Sequence, residues 1–461
     1  MVGNVLEFLW PRIPFAPPSR IHGRGGPFRG GTGQSFRAWH VRCSAVSVRI
    51  LWVKAGKLLP VDTGGKIRSF NILKQLALRH DVTLLSYYGG GDDFAYESEL
   101  REQFAGALAL HTGPLDRSKA SRLLDFARRS LSPAPYAVSK FTSPLVRRRI
   151  VEWDRERAFD VIVCDFLAAS LNFPLSLRTP TVLFQHNVES MLWQRRADTE
   201  SHPVKRLVTV REARKMHRYE RETVGRFRHV IAVSDIDRQA MATMTDPRDI
   251  HVVPTGVDTR AFRPDVRNDQ PRPELLFLGS MDWEPNIDAV RYFCESIWPS
   301  VLARVPDARF RVVGRQPPSS IQRLASDNIE IVGRVPSVGE HLHRAAVFVV
   351  PLRIGGGTRL KIYEAMGAGK AVVSTTIGAE GLDVEHGTNI LLADAPEAFA
   401  TAVVRLLQSP AERRALENGA LDLAARYDWS AIAVRFEEVL RHVAGATPTG
   451  DVARRHAQAV A

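Results

Sequence analysis

Short apolar runs recur along this chain, separated by longer polar or amphipathic stretches, a rhythm that predicts buried parallel strands joined by helices. The first run, Ser47–Val53, leads into a loop carrying Asp62-Thr-Gly-Gly-Lys66, then a helix over Ile67–Arg79 and a second strand at Val82–Tyr87. That β-loop-α-β length suits a parallel crossover. Strands at Val161–Cys164, Thr181–Phe184 and Val230–Val233 continue the series. Thr259–Pro273, rich in proline, arginine and aspartate, has no periodicity and interrupts it. A second series then places strands at Glu274–Leu278, Phe310–Val313, Ile329–Val332, Val347–Val350, Ala371–Ser374 and Ile390–Leu392.

Alternation of this kind predicts the α/β class, with two Rossmann-like, doubly wound parallel-sheet domains facing across a cleft. A chain of 461 residues is also too long for one ordinary core. The expected division is 46–258 for the first domain, 259–273 for a linker, 274–426 for the second domain and 427–443 for a last, crossover helix. Residues 1–45 and 444–461 read as disordered extensions, since Pro17-Pro18 and the Gly-Arg repeats cannot bury an apolar face. In such sheets ligands bind beyond the carboxyl ends of the strands, so functional residues are expected in loops facing the cleft.

Between Pro203 and Arg228 the pattern predicts a long helix with Leu207, Val210, Met216 and Tyr219 on one face. Its other side carries Arg206, Arg211, Arg214, Lys215 and Arg218 in excess over acids, which fits either a solvated helix or a surface for anionic lipid. The whole chain has a net charge of +13, but residues 1–45 hold six arginines against Glu7 alone, so the folded part carries a moderate excess. That excess fits anionic substrates or lipid, and the absence of interleaved basic and aromatic residues argues against nucleic acid. No apolar run approaches the ~18 residues of a membrane span. Cys43, Cys164 and Cys294 lie far apart, which indicates neither a disulfide framework nor a zinc cluster and fits a cytoplasmic chain, with room for peripheral attachment at the inner membrane face.

The chemistry concentrates in Val349–Met366. A buried-strand run there is followed by Gly355, Gly356 and Gly357, which let the backbone approach a ligand, and by Thr358, placed to cap the next helix. The free N–H groups at that helix start favour a diphosphate, Arg359 and Lys361 add cations, and Glu364 can reach neutral hydroxyls. His186-Asn187 directly follows a strand and so displays an imidazole at a carboxyl end. Thr63-Gly-Gly-Lys66 is superficially similar to a P-loop, but Pro60 and Ile67 stand where that pattern needs glycine and a hydroxyl. It is left as a flexible glycine turn facing the cleft or a tight strand-to-helix connection. Asp235-Ile-Asp237 has the spacing of a metal-holding pair, yet Ser234 before it reads as an N-cap and the aspartates as first-turn partners of the helix dipole. No metal site is expected.

Together these residues resemble the retaining, nucleotide-sugar-dependent glycosyltransferases of group 1, or family 4, which have the GT-B fold. The likeness runs over about residues 47–443 through Gly64-Gly65, Phe184–Glu189, Val252–Asp258 and Pro351–Gly369. It implies a donor site in the second domain and an acceptor site in the first, with Glu364 on the nucleoside ribose, the backbone at Gly356–Arg359 on diphosphate and sugar, and His186 near the reaction centre. Gly64, Gly65 and Asn187 join the donor-site residues on the same ground. Two features depart from the family: Gly356 replaces the first acid of its Glu-x7-Glu pair, and Ser280 and Pro285 or Asn286 stand where its arginine and lysine would fall. Arg359 and Lys361 are therefore expected to supply the phosphate charge.

The expected activity is retaining transfer of a sugar from a nucleoside diphosphate to a glycan, lipid-linked or small-molecule acceptor in polysaccharide or glycoconjugate biosynthesis, with no cofactor or metal. A nucleotide-sugar epimerase of the same fold and a catalytically weak nucleotide-sugar-binding partner protein are the alternatives.

Overall fold

The computed structural model describes residues 47–90, 93–113, 119–200, 202–246, 249–264, 272–354 and 359–445. Its strands form two parallel sheets. The first comprises β1 (Arg49–Ala55), β2 (Asp81–Tyr88), β3 (Ala107–His111), β4 (Val161–Asp165), β5 (Thr181–Phe184), β6 (His229–Ala232) and β7 (Ile250–Val252), in the order β3-β2-β1-β4-β5-β6-β7. The second comprises β8 (Glu274–Leu278), β9 (Arg309–Val313), β10 (Ile329–Gly333), β11 (Val347–Val350), β12 (Ala371–Ser374) and β13 (Leu391–Leu392), ordered β10-β9-β8-β11-β12-β13. Both orders reverse once, between β1 and β4 and between β8 and β11. At such a reversal the loops leaving neighbouring strands diverge and open a crevice.

Central strands are buried on both faces, which is why they read as continuous apolar runs. In β1, Ile50 and Trp52 enter one core while Leu51 and Val53 enter another across the sheet. The two strands not anticipated above, β3 and β7, are the edges of the first sheet. β7 is only Ile-His-Val, and Ala-Leu-Ala-Leu-His of β3, though apolar, has no β-branched or aromatic residue, so neither reads as a strand.

Six helices bear on function: α1 (Gly64–Leu76), α2 (Glu189–Thr199), α3 (Pro203–Arg226), α4 (Asp235–Met241), α5 (Leu360–Gly367) and α6 (Trp429–Val443). Helix α1 starts three residues before the expected Ile67, so Gly64-Gly65 is its first turn rather than a flexible loop. In α3 the buried stripe is Thr209, Glu212, Ala213, Met216, Tyr219, Glu220 and Thr223, whereas Leu207 is 72% exposed. The expected apolar face therefore holds only at Met216 and Tyr219. Three polar members of the true stripe are satisfied internally: Glu220 accepts the Glu189 and Ser190 amides at the start of α2 (both 2.8 Å), Glu212 accepts the Tyr136 amide (2.7 Å) and Thr209 donates to the Lys205 carbonyl (2.9 Å). Hydropathy alone does not find such a face.

The linker region is described only in part. Asp258 accepts the Arg260 and Ala261 amides, Thr259 donates to Asp428 (2.6 Å), and 265–271 fall outside the described residues. After Asp428, α6 returns to the first sheet. The Phe436 ring lies 5.4 Å from that of Trp52 and 5.0 Å from that of Phe184, and Glu437 pairs with Arg79 (2.7 Å) and His80 (3.2 Å).

Candidate active site

At the reversal in the first sheet, Lys54 of β1 and Asp165 of β4 are register partners. Each is the charged residue near the end of an otherwise buried run. Lys54 Nζ donates to Asp165 Oδ2 (2.9 Å), as do Ser69 Oγ of α1 (2.7 Å) and Trp52 Nε1 (2.9 Å). The other oxygen, Oδ1, lies 2.7 Å from His186 Nε2. Burial opposes the charge on Asp165, but Lys54, His186 and Ser69 together hold its carboxyl below the usual carboxylate range. Burial also pulls His186 down from 6.5 to about 4 against the pull of Asp165, so the ring is neutral at pH 7. Phe184 and Phe166 flank it, with ring centroids 4.5 and 5.2 Å away. Phe166, directly after Asp165, sits at φ 73°, a left-handed conformation that costs a non-glycine residue free energy.

Helix α1 begins against this network. A Cβ on Gly65 would lie 3.4 Å from His186 Nδ1, and one on Gly64 would lie 3.3 Å from Leu360 Cδ1 at the start of α5. The glycine pair is thus explained by close approach: one glycine faces the histidine and the other the second sheet's helix. Arg68, one turn on and buried, donates to Thr255 Oγ1 (2.6 Å) and the His186 carbonyl (3.4 Å).

Gly355, Gly356, Gly357 and Thr358 lie outside the described residues. The N-cap position of α5 falls on Arg359, with no side-chain cap bond. Arg359 is buried with its guanidinium 5.5 Å over the Trp283 ring. Lys361 reaches across to the end of β8, donating to the Leu278 carbonyl (2.8 Å) and to Asn286 Oδ1 (3.2 Å), with Nζ 4.3 Å from the Phe277 ring. Asn286 is one of the positions where the family resemblance places a lysine, so the side chain of Lys361 occupies that neighbourhood from a different helix. Burial, then the Arg359 charge, lower Lys361 from 10.5 to about 7, and burial raises Glu364 from 4.5 to about 7. Glu364 is half-buried one turn further along α5.

Two ion-pair groups link the walls. Arg195 of α2 meets Glu380 through two contacts (3.1 and 3.2 Å), and Arg315 meets Asp62 (3.4 Å) as well as Asp282 (3.1 Å). Asn187, Val188, Arg195, Ser234, Asp237 and Glu380 line a cleft between them. Ser234 caps α4 by accepting the Asp237 amide (3.1 Å), as expected, and Asp237 accepts the Ser234 hydroxyl in return (2.6 Å). Among the described residues no group of three metal-ligating side chains occurs.

The structure therefore brings Gly64, Gly65, His186 and Asn187 to one wall and Arg359, Lys361 and Glu364 to the other. Sequence reasoning missed Lys54, Asp165, Ser69, Arg68, Asn286 and the Arg195–Glu380 pair. A lysine and an aspartate interrupting the ends of buried strands were a readable signal; the others depend on which helices meet.

A two-domain α/β molecule with facing carboxyl-end loops of this kind has the GT-B architecture. Solved structures of the same fold include the Anabaena HepE protein in complex with UDP and glucose (TM-score 0.61, 16% identity, 86% of this chain and 100% of that one). Sucrose-phosphate synthase from Thermosynechococcus elongatus is another (TM-score 0.63, 16% identity, 87% and 100%). Residues 64–261 match the model of Glycosyltransferase Family 4 and residues 272–409 that of Glycosyl transferases group 1; the chain belongs to this glycosyltransferase family. Among curated relatives, a phosphatidyl-myo-inositol mannosyltransferase of Mycolicibacterium smegmatis is 28% identical over 240 residues, covering 50% of this chain and 60% of the relative. A D-inositol 3-phosphate glycosyltransferase of Nocardioides is 30% identical over 247 residues, covering 46% and 53%. The chain spans little more than half the length of these two.

Proposed function

We propose that this chain is a retaining glycosyltransferase that moves a sugar from a nucleoside diphosphate sugar to a glycan, lipid-linked or small-molecule acceptor in polysaccharide or glycoconjugate biosynthesis. The observation that carries the reading is the meeting of α1, His186 and the start of α5, where two helix N-termini and two cations face one crevice. Their combined positive potential fits a diphosphate, whose charge grows as the sugar departs. Lys361 and Arg359 stabilise that leaving group, and Glu364 accepts hydroxyls of the nucleoside ribose. The first sheet's loops hold the acceptor on the sugar face from which the diphosphate leaves, so the departing phosphate takes the acceptor's proton. Catalysis then rests on positioning and on electrostatic stabilisation.

The acceptor-side domain also offers a basic surface. Arg206, Arg211, Arg214, Arg218 and Arg221 lie exposed along α3 with Val204 and Leu207, and Arg211 and Lys215 donate to the Ser130 carbonyl beside exposed Leu131. Cations interspersed with aliphatic side chains fit the face of an anionic bilayer. No helix among the described residues is long and apolar enough to cross a membrane.

Binding and turnover measured against a panel of UDP-, GDP- and ADP-sugars, repeated with Glu364→Ala, test the proposal. One donor class should bind, lose about tenfold or more in affinity in the variant through the lost charged hydrogen bonds, and be consumed only with an acceptor. Conversion without an acceptor would indicate an epimerase. Binding indifferent to Glu364 would remove the site assignment.

A further inference from the structure

His186 is held on every side except one. Three donors, from Trp52, Lys54 and Ser69, converge on Asp165 Oδ2, which leaves that oxygen no room for a proton. The buried ion pair with Lys54 keeps the carboxyl ionised, so Oδ1 is an acceptor too, and its 2.7 Å contact requires the proton to sit on His186 Nε2. In the neutral ring Nδ1 then carries a lone pair. Nδ1 is buried without a hydrogen-bond partner, and the backbone in front of it is Gly65, where a Cβ would fill the space at 3.4 Å from the nitrogen. Phe184, Phe166 and the strained backbone at Phe166 leave the ring little freedom to turn away.

We infer that Asp165 is a positioning residue that fixes His186 as the Nε2–H tautomer, so that His186 Nδ1 accepts a hydrogen bond from a hydroxyl of a sugar or polyol substrate lying before Gly65. The inference rests on the glycosyl-transfer reading for the identity of the substrate, but the tautomer does not depend on it. The chemistry of the partner follows from the surroundings. A lone pair repels phosphate oxygens, and the nearby charges of Arg68 and Lys54 disfavour a cation. A neutral O–H donor satisfies the orphaned nitrogen. Because the ring's basicity is low, Nδ1 orients the hydroxyl and does not take its proton. This keeps the acceptor proton on its path to the leaving phosphate.

Nitrogen-15 NMR of the histidine-labelled full chain reads the tautomer directly. At pH 7 without ligand, His186 is expected to show an unprotonated Nδ1 and a protonated Nε2, and Nδ1 should shift when donor and acceptor are added. Asp165→Asn turns an NH2 group or a competing amide toward the ring. It should mix or invert the tautomer and lower kcat/KM about tenfold or more, while donor binding at the second domain stays within about twofold. Single-hydroxyl deoxy analogues of donor and acceptor provide a test should Asp165→Asn not fold: one analogue should lose about tenfold with the native protein and little with His186→Ala. An Nδ1–H or imidazolium form in the native protein overturns the inference. So does an Asp165→Asn variant that loses activity with its tautomer intact. Native protein that turns over no donor while showing the expected tautomer sinks the transferase reading instead.

Discussion

The two walls of the cleft treat charge in opposite ways. On the first, Lys54, Asp165 and His186 complete one another inside the protein, and Asp165 has four hydrogen-bonding neighbours. On the second, Lys361 donates to the neutral oxygens of Leu278 and Asn286, and burial lowers its pKa to about 7. A charge already neutralised by its neighbours is suited to fixing geometry. A cation held by neutral oxygens in a half-buried site gains when an anion arrives. Under the proposed function, this difference fits positioning by the first domain and anion capture by the second.

The largest effect expected from breaking this contrast is on stability. Asp165→Ala leaves Lys54 buried without its carboxylate and should cost about 3–5 kcal/mol in denaturant unfolding. Lys361→Met should barely change stability but weaken donor binding by about 1.5–3 kcal/mol, or roughly 10- to 150-fold, by titration calorimetry. The same lysine gives a pH signature. An anionic donor favours its protonated form, so binding should take up protons near neutrality and weaken as pH rises above about 7, and Lys361→Met should remove that dependence. Equal losses of stability in both variants would erase the contrast.

A smaller effect concerns α6. Burial opposes the Glu437 charge, yet His80 and Arg79 hold its carboxyl down at about 2, below the ordinary 4.5. A depressed carboxylate contributes stability above its unfolded value and loses it as pH falls through the folded one. The melting temperature should therefore drop between about pH 4.5 and 2 in the native chain, and less steeply in Glu437→Gln. The smallest effect is expected at Arg195–Glu380, a partly exposed pair. Arg195→Ala should cost less than about 1 kcal/mol in stability, while small-angle scattering reports whether the walls separate more readily.

Much of the fold was legible because buried parallel strands announce themselves as apolar runs; β1, β4, β8 and β11, which flank the crevices, are all of this type. β3 and β7 escaped because the one lacks β-branched and aromatic residues and the other is only Ile-His-Val. Arg359, Lys361 and Glu364 were legible as a charged cluster because six residues of chain at one helix start keep them close without knowledge of the rest. The network under His186 was not, because its members come from β1, α1, β4 and the loop after β5. Only the sheet order β2-β1-β4-β5 makes them neighbours. Position 207 illustrates the reverse error: leucine there satisfies an apolar pattern but faces outward, while Glu220 is buried because two backbone amides need it.

Trp52 touches both the Asp165 network and the last described helix. Its Nε1 donates to Asp165, and its ring packs against Phe436 on α6, a helix that follows the second domain in sequence but lies against the first. Chimaeras that exchange donor domains between family members cannot simply be cut at the linker. A replacement second domain must be joined back to the native α6, or its own last helix must carry an aromatic that fits Trp52 and Phe184. Otherwise the graft would also disturb the hydrogen-bond network around Asp165.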